Sequence, residues 1–221
     1  MVHLYALADH PAQLPAVAGI GASPLVSSAV GPVAAVFSEV GGESTEPTEA
    51  AILAHAHVVD ELAKANDAVL PARFARPYEN EAALLTGIRE RAAQLRDSLD
   101  RVRGCVEMGV RVVRNENGGA IATPSGSGSD YMRSRLDGIR FADRVADQLD
   151  AAVSGLTNDA VRGVTGTREL VLTAAYLLPR DEAQRFRTAV AAVADQHHDL
   201  AYVCVGPWPP YSFALVDGRS E

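Results

Sequence analysis

LAYVCVGPWPPYSF, at residues 200–213, combines a strand with a stiff aromatic arm. Its first half, residues 200–205, is a run of apolar and aromatic side chains that predicts a buried strand. In the second half, three prolines surround Trp208, the only tryptophan of the chain. Proline restricts the backbone to an extended path. The stretch therefore predicts an arm that starts from an anchored strand and holds its rings in a defined place.

The rings of this arm have two alternative uses. Because the prolines remove conformational entropy in advance, a ring on the arm is held at little further ordering cost. The rings either pack onto their own domain and close its core, or form a surface that contacts a partner, and different rings can do each. The candidate protein-interaction residues are Trp208, Pro209, Pro210, Tyr211 and Phe213.

Upstream of the arm, strand-like runs alternate with helical patterns. The predicted strands cover residues 4–8, 25–30, 33–40, 68–74, 106–112, 169–178 and 200–205. The predicted helices cover residues 47–66 and 80–103, and two more begin at Asp130 and Asp181. Gly31-Pro32 predicts a hairpin between the second and third strands. This order indicates two α+β lobes, the second built like a split βαβ sheet.

The predicted domains meet near a long amphipathic helix. We expect an N-terminal α+β domain over residues 1–78, the helix over 79–103, a C-terminal domain over 104–216 and a short tail over 217–221. Asn80 is a good helix N-cap, and Gly104 suits the end of the helix. The apolar positions of this helix are Leu85, Ile88, Ala92, Leu95, Leu99 and Val102. They either face the core or pair with a partner helix.

Two further helices have predicted apolar faces, and one long loop is expected. For the helix over 47–66, Ser44 or Thr45 is the expected cap, and the inward residues are Ile52, Ala56, Val59 and Leu62. Asp130 is expected to cap the later helix, whose apolar side is Met132, Leu136, Ile139, Ala142, Leu149, Val153 and Leu156. Residues 115–130 are rich in Gly, Ser and Asn, which predicts a mobile loop with few protected amides.

The composition argues against two classes of partner. The 221 residues include 20 Lys and Arg against 28 Asp and Glu, so the formal net charge is −8. Nucleic-acid binding and docking on anionic membranes both require clustered positive charge. We therefore expect no nucleic-acid partner and no membrane partner.

The sequence also predicts the compartment. The N-terminus lacks the basic flank of a signal peptide, and no run reaches the roughly 18 apolar residues of a membrane span. We therefore expect a cytoplasmic protein. Cys105 and Cys204 lie in apolar strand-like runs and are expected to be buried, reduced thiols.

No pattern predicts catalysis, a metal site or a cofactor. His55 and His57 point about 200° apart on a helix, so they cannot bind one metal from that helix. No Cys or His spacing matches a zinc site, and no Walker A, G-x-S-x-G or dinucleotide motif occurs. We expect no catalytic residues, no metal and no cofactor, and predict that the protein is not an enzyme.

The C-terminal arm resembles the signature of a known family. A strand that runs into Gly206-Pro207-Trp208-Pro209-Pro210-Tyr211-Ser212-Phe213 is similar to the hallmark of the gas vesicle F/L family (GvpF/GvpL). Weaker resemblances occur in the same order along the chain, in the stretches 70–74, 104–112, 131–135 and 174–178. The residues that carry these resemblances are Leu70, Pro71, Arg73, Phe74, Glu107, Gly109, Tyr131, Arg135, Tyr176, Gly206 and Pro207.

The resemblance implies a fold, a role and partners. The fold is α+β with two lobes, the second a modified ferredoxin-like fold. The role is in forming gas vesicles, as an assembly accessory or a minor structural protein. The implied partners are the small hydrophobic shell protein and other gas vesicle accessory proteins, and the implied location is the gas vesicle. The alternative function, from another class, is a ferredoxin-like module that binds a small regulatory molecule.

Overall fold

Two compact units make up the protein. A computed structural model describes residues 1–41, 47–74, 77–115, 127–164 and 170–214. One unit consists of Met1–Cys105 together with Trp208–Glu221, and the other of Val106–Pro207. Each combines helices with an antiparallel sheet, so the predicted α+β class is confirmed. The predicted tail over 217–221 lies outside the described residues.

The sheet of the first unit has four strands. They are β1 (Val2–Asp9), β2 (Val26–Val30), β3 (Val33–Glu39) and β4 (Val69–Pro71). Their spatial order is β2-β3-β1-β4, and all neighbours are antiparallel. Gly31, with φ +60°, turns the chain between Val30 and Val33, which confirms the predicted hairpin. Almost every residue of β1 and β3 is buried, so both faces of the sheet are covered.

Helix α1 (Glu49–Ala65) packs against β1 and β4. Its cap is Thr48, whose side chain accepts a hydrogen bond from the Ala51 N–H at 3.2 Å. The predicted caps, residues 44 and 45, lie outside the described residues. The predicted inward face was wrong at Ile52, which is 44% exposed, because the helix instead turns His55 inward to hydrogen-bond within the core.

The helix predicted over 80–103 is interrupted. It forms α2 (Glu81–Glu90) and α3 (Ala92–Val102), with a break at Arg91. Asn80 caps α2 as predicted, and Gly104 has the predicted positive φ of +68°. Helix α2 packs against β2 at one edge of the sheet, whereas α3 packs against β3 and β4. The break lets the two segments follow a twisted surface that a straight helix would leave.

The second unit has the element order β-α-β-β-α-β. The elements are β5 (Cys105–Arg114), α4 (Gly128–Val153), β6 (Asp159–Val164), β7 (Leu170–Pro179), α5 (Ala183–Ala194) and β8 (Leu200–Trp208). The strand order is β6-β7-β5-β8. This order supports the ferredoxin-like assignment, which remains a prediction.

The second unit differs from the sequence predictions at strand β6 and at the start of α4. Strand β6 was not predicted, because residues 160–163 are exposed and give the sequence no buried face to reveal. Ser127, and not Asp130, caps α4; Asp130 is the acidic partner of Ser127 in a capping box. The loop predicted over 115–130 falls mostly outside the described residues.

The second core lies between the sheet and its two helices. Its buried side chains from α4 are Ala142, Val145, Ala146, Leu149 and Val153. On the same helix Met132 and Leu136, which the sequence placed on the apolar side, are 54% and 49% exposed. Within the described residues, no helix has both the length and the apolar character needed to cross a bilayer.

Candidate functional site

Strand β8 is an edge of the second sheet. In the described part of the chain only β5 adjoins it. Side chains alternate along a strand, and on β8 Tyr202 and Cys204 pack against the core while Val203 and Val205 are 47% and 43% exposed. An edge strand that exposes apolar side chains is a surface on which another protein can pair or pack.

The end of β8 is held against β5 at Gly206. Its φ of +109° is one that other residues rarely adopt. A Cβ at this position would also lie 2.7 Å from the Glu107 carbonyl oxygen and 3.0 Å from the Met108 sulfur. The Arg187 guanidinium of α5 donates a hydrogen bond to the Gly206 carbonyl oxygen. Glycine is therefore required here both by conformation and by space.

The proline-aromatic arm returns the chain to the first unit. The Tyr211 N–H donates to the Pro209 carbonyl at 2.8 Å, and the Phe213 N–H donates to the Pro210 carbonyl at 3.1 Å. The second bond spans three residues and belongs to the 3-10 turn over Tyr211–Phe213, whereas the first spans two and closes a γ-turn. Both prolines are buried. The arm is thus an anchored part of the fold.

The rings of the arm divide into buried and exposed. Phe213 is buried, and the Arg101 guanidinium carbon lies 5.7 Å from its ring centroid, within cation–π range. Tyr211 is half-buried against the core of the first unit. Trp208 is 48% exposed. Of the five predicted interaction residues, Trp208 alone presents a large exposed ring. It is therefore the candidate for contact with a partner.

Cys204, next to the exposed valines of β8, is a free thiol. Burial raises the pKa of the Cys204 thiol, and the nearby charge of Arg187 opposes this only in part. The thiol is therefore protonated near neutral pH and is a poor nucleophile. The expectation of a buried cysteine holds for Cys105, whereas Cys204 is half-buried.

The motif residues of the first unit build a strand and one side of a buried cluster. Leu70 and Pro71 lie on β4 and pair with Leu7 and Ala6 of β1. Both are buried, whereas Arg73 is exposed. Phe74 is half-buried, with its ring centroid 5.2 Å from that of His3 and 5.7 Å from that of His55.

This cluster of His3, Tyr5, Ser38, His55 and Phe74 was not foreseen from the sequence. The two imidazoles share a hydrogen bond, with His3 Nε2 2.8 Å from His55 Nδ1. The Tyr5 hydroxyl lies 2.8 Å from Ser38 Oγ. Burial, followed by the proximity of His55, lowers the pKa of His3 to about 4. His3, Tyr5, Ser38 and His55 are buried, and with the half-buried Phe74 they form a polar core of the first unit.

The motif residues of the second unit are mostly structural. Tyr176 is buried, and its hydroxyl donates to Asp150 Oδ1 at 2.7 Å, which ties β7 to α4. Burial raises the pKa of Tyr176 to about 12. Glu107 is buried, and a Cβ on Gly109 would lie 2.9 Å from Val205 Cγ2.

Three motif residues remain. Arg135 is exposed on α4, and the Tyr131 side chain lies outside the described atoms. Pro207 is exposed, and the Gly206–Pro207 peptide is cis. The motif positions are therefore spread over both units.

The sequence matches one family along almost its whole length. The profile described as "Gas vesicle synthesis protein GvpL/GvpF" matches residues 1–215. Gas vesicle protein F2 of Halobacterium salinarum is 27% identical over 191 residues, covering 86% of this chain and 79% of that protein. Gas vesicle protein L of a Streptomyces species is 28% identical over 232 residues, covering 90% and 86%.

A solved structure has the same fold. The crystal structure of the gas vesicle protein GvpF from an Anabaena species superposes with a TM-score of 0.80 at 17% sequence identity. The alignment covers 100% of this chain and 98% of that chain. At this identity the likeness shows the fold alone.

Proposed function

The chain belongs to the gas vesicle synthesis protein GvpL/GvpF family, and we propose that it acts in gas vesicle formation as a binding protein. Family membership gives it a role in gas vesicle formation. The proposed mode of action is to hold other proteins, and it requires no chemical step. In this role the protein is an assembly factor or a minor component of the vesicle.

The partner proposed first is the small hydrophobic shell subunit, and other gas vesicle accessory proteins are proposed alongside it. A subunit with an exposed apolar face aggregates unless another protein covers that face before assembly. A soluble, acidic protein that presents a rigid aromatic anchor is suited to this task. The protein would meet new shell subunits in the cytoplasm, where we place it before and during assembly.

The observation that carries this proposal is the exposure of Trp208. Prolines on both sides fix the backbone, and the arm beyond it is buried at Pro209, Pro210 and Phe213. The ring nevertheless keeps 48% of its surface exposed. A half-exposed tryptophan on a backbone that is already ordered binds at a low entropic cost, and tryptophan is enriched among the residues that dominate binding energies.

Trp208→Ala tests the proposal. A fully buried large aromatic costs roughly 3–5 kcal/mol when it is truncated to alanine, and a half-exposed ring should cost less than about 2 kcal/mol. We expect the variant to stay folded, to lose co-purification with the shell subunit, and to fail to restore flotation to cells that lack the wild-type protein. Trp208→Phe, which keeps an aromatic ring, should retain part of both activities.

Leu53→Ala is the matched control. Leu53 is 61% exposed on α1, so its truncation also removes exposed apolar surface but leaves Trp208 in place. This variant should bind and float as the wild type does. A Trp208→Ala protein that stays folded and still binds the shell subunit with unchanged affinity would refute the proposed contact.

A further inference from the structure

Helix α4 extends well beyond the core that it covers. Its 26 residues correspond to about 39 Å at about 1.5 Å per residue. Among the side chains of α4 that the structure describes, the buried ones lie between Ala142 and Val153. Upstream, Met132, Leu136 and Ile139 are 54%, 49% and 36% exposed. The first half of the helix therefore offers large apolar side chains to solvent.

These three residues form a stripe, which we call the α4 stripe. At about 100° per residue, Met132, Leu136 and Ile139 lie within about 60° of one another around the helix axis. The buried residues of the same helix centre roughly a quarter turn away. The stripe is thus a separate surface, and the packing of α4 on its own sheet does not cover it.

Basic side chains border the α4 stripe. Arg133 and Arg140 flank it on one side and Arg135 on the other, and all three are exposed. Arg133 and Arg140 each form an ion pair with an aspartate three residues earlier on the helix, at 3.2 and 3.6 Å. Pairs this exposed are weak and exchange readily for other partners. An apolar stripe with guanidinium groups on both sides is complementary to an apolar stripe of a partner that has carboxylates on both sides.

We propose that the α4 stripe is a docking site for an amphipathic helix of a partner protein, and that this helix carries an apolar stripe bordered by Asp or Glu. The partner's apolar side chains would pack on Met132, Leu136 and Ile139, with spacing set by the helix repeat. Its carboxylates would pair with the bordering arginines and fix the register. The proposal uses no residue of β8 and does not depend on Trp208.

Two other occupants fit less well. An anionic membrane fits less well because the stripe, Met132, Leu136 and Ile139, has no aromatic ring of the kind that anchors interfacial helices. In a pair of α4 segments from two copies of the chain, the bordering arginines would face one another, which is repulsive. Charge complementarity therefore favours a partner with acidic borders.

The test uses two synthetic helical peptides and the full-length chain. The peptides share one apolar stripe and differ only in its borders, which are Glu in one and Lys in the other. Fluorescence anisotropy measures their binding to the chain. Three exposed charge pairs are each weak, and together they predict about ten-fold tighter binding of the Glu-bordered peptide. Added salt should reduce this difference.

Variants locate the binding. Leu136→Asp should weaken binding of the Glu-bordered peptide by about ten-fold or more. Simultaneous reversal of Arg133, Arg135 and Arg140 to Glu should invert the preference in favour of the Lys-bordered peptide. Leu53→Asp, at an exposed apolar residue of α1, is the control and should leave both affinities unchanged. Circular dichroism of each variant checks that α4 remains folded.

Each contrary result has a defined meaning. The proposal is overturned if the wild-type chain binds the two peptides with equal affinity. It is also overturned if Leu136→Asp does not change the affinity for the Glu-bordered peptide. The proposal is also overturned, in favour of a membrane, if neither peptide binds but phosphatidylserine vesicles bind the chain and Leu136→Asp abolishes that binding. Self-association that Leu136→Asp abolishes, again without peptide binding, overturns it in favour of a second copy. The assay contains no shell subunit, so its outcome is independent of the Trp208 experiment.

Discussion

Acid should destabilise the first unit through its buried histidine pair, His3 on β1 and His55 on α1. His55 Nε2 lies 2.9 Å from the carbonyl oxygen of Ala72, which can only accept a hydrogen bond, so this nitrogen carries the proton. In a neutral His55, Nδ1 is then an acceptor, and His3 Nε2 must donate to it across 2.8 Å. His55 is neutral in this arrangement, because a proton on its Nδ1 would set two N–H groups against each other.

The size of the effect follows from the pKa of His3. Burial and the neighbouring His55 lower this pKa from 6.5 to about 4. The unfolded chain therefore binds the proton first as the pH falls. The stabilising contribution is fully present above pH 6.5 and is lost progressively between pH 6.5 and 4. Since one pKa unit is worth about 1.4 kcal/mol, the loss is at most about 3 kcal/mol.

The experiment compares wild type with His3→Gln, which keeps an N–H donor but cannot titrate. Urea unfolding at a series of pH values from 7.5 to 4 follows the fluorescence of Trp208, which belongs to the same unit. We expect the wild-type free energy of unfolding to fall more steeply than that of His3→Gln across this range. His57→Gln is the control, because His57 is exposed on α1, the helix that carries His55. Its free energy of unfolding should vary with pH as that of the wild type does.

Two results would refute this reasoning. One is a pair of parallel stability curves for wild type and His3→Gln. The other is direct: an NMR titration of the folded protein in which the His3 imidazole takes up a proton near pH 6.5. Either result would mean that the pair is not closed to solvent.

Two further variants probe the second unit. Gly206→Ala should destabilise it by about 3 kcal/mol or more, because the new Cβ would meet the β5 backbone at a φ that alanine resists. Thermal unfolding measures this loss, and Gly155→Ala is the control, because a Cβ at Gly155 would lie in open space. Equal melting temperatures of the two variants would contradict this reasoning. Tyr176→Phe should cost about 1–2 kcal/mol, because it removes the hydrogen bond to Asp150 and little else. Urea unfolding checks this loss, and an unchanged midpoint would show that the bond contributes nothing net.

Local patterns were enough to predict much of the fold. The hairpin at Gly31, the cap at Asn80 and the helix end at Gly104 each depend on one residue whose backbone preference decides the structure. Strand β6 and the break at Arg91 depend on what packs beside them. An exposed strand shows no alternation of apolar and polar side chains. The helix breaks where the sheet beneath it twists, and the sequence of the helix alone does not show that twist.

The candidate site was predictable in composition but not in exposure. The arm was identified from its prolines and rings, yet only coordinates distinguish exposed Trp208 from buried Phe213. The histidine pair was missed because its members are 52 residues apart and meet only when α1 packs on β1. The one local signal was the position of His55, three residues before Val58 and four before Val59 on the inward face of α1.

Most buried residues that carry the family resemblance are not among those proposed to bind partners, whereas Trp208 and Arg135 belong to both sets. Leu70, Tyr176 and Gly206 are fixed by burial, by a hydrogen bond or by a backbone angle, and a change at any of them disturbs the fold. Such constraints are few, and the rest of a core needs only apolar side chains of suitable volume. A solved relative can therefore keep this fold at low sequence identity. The α4 stripe meets no such constraint, so substitutions there can alter which partner binds and leave the fold intact.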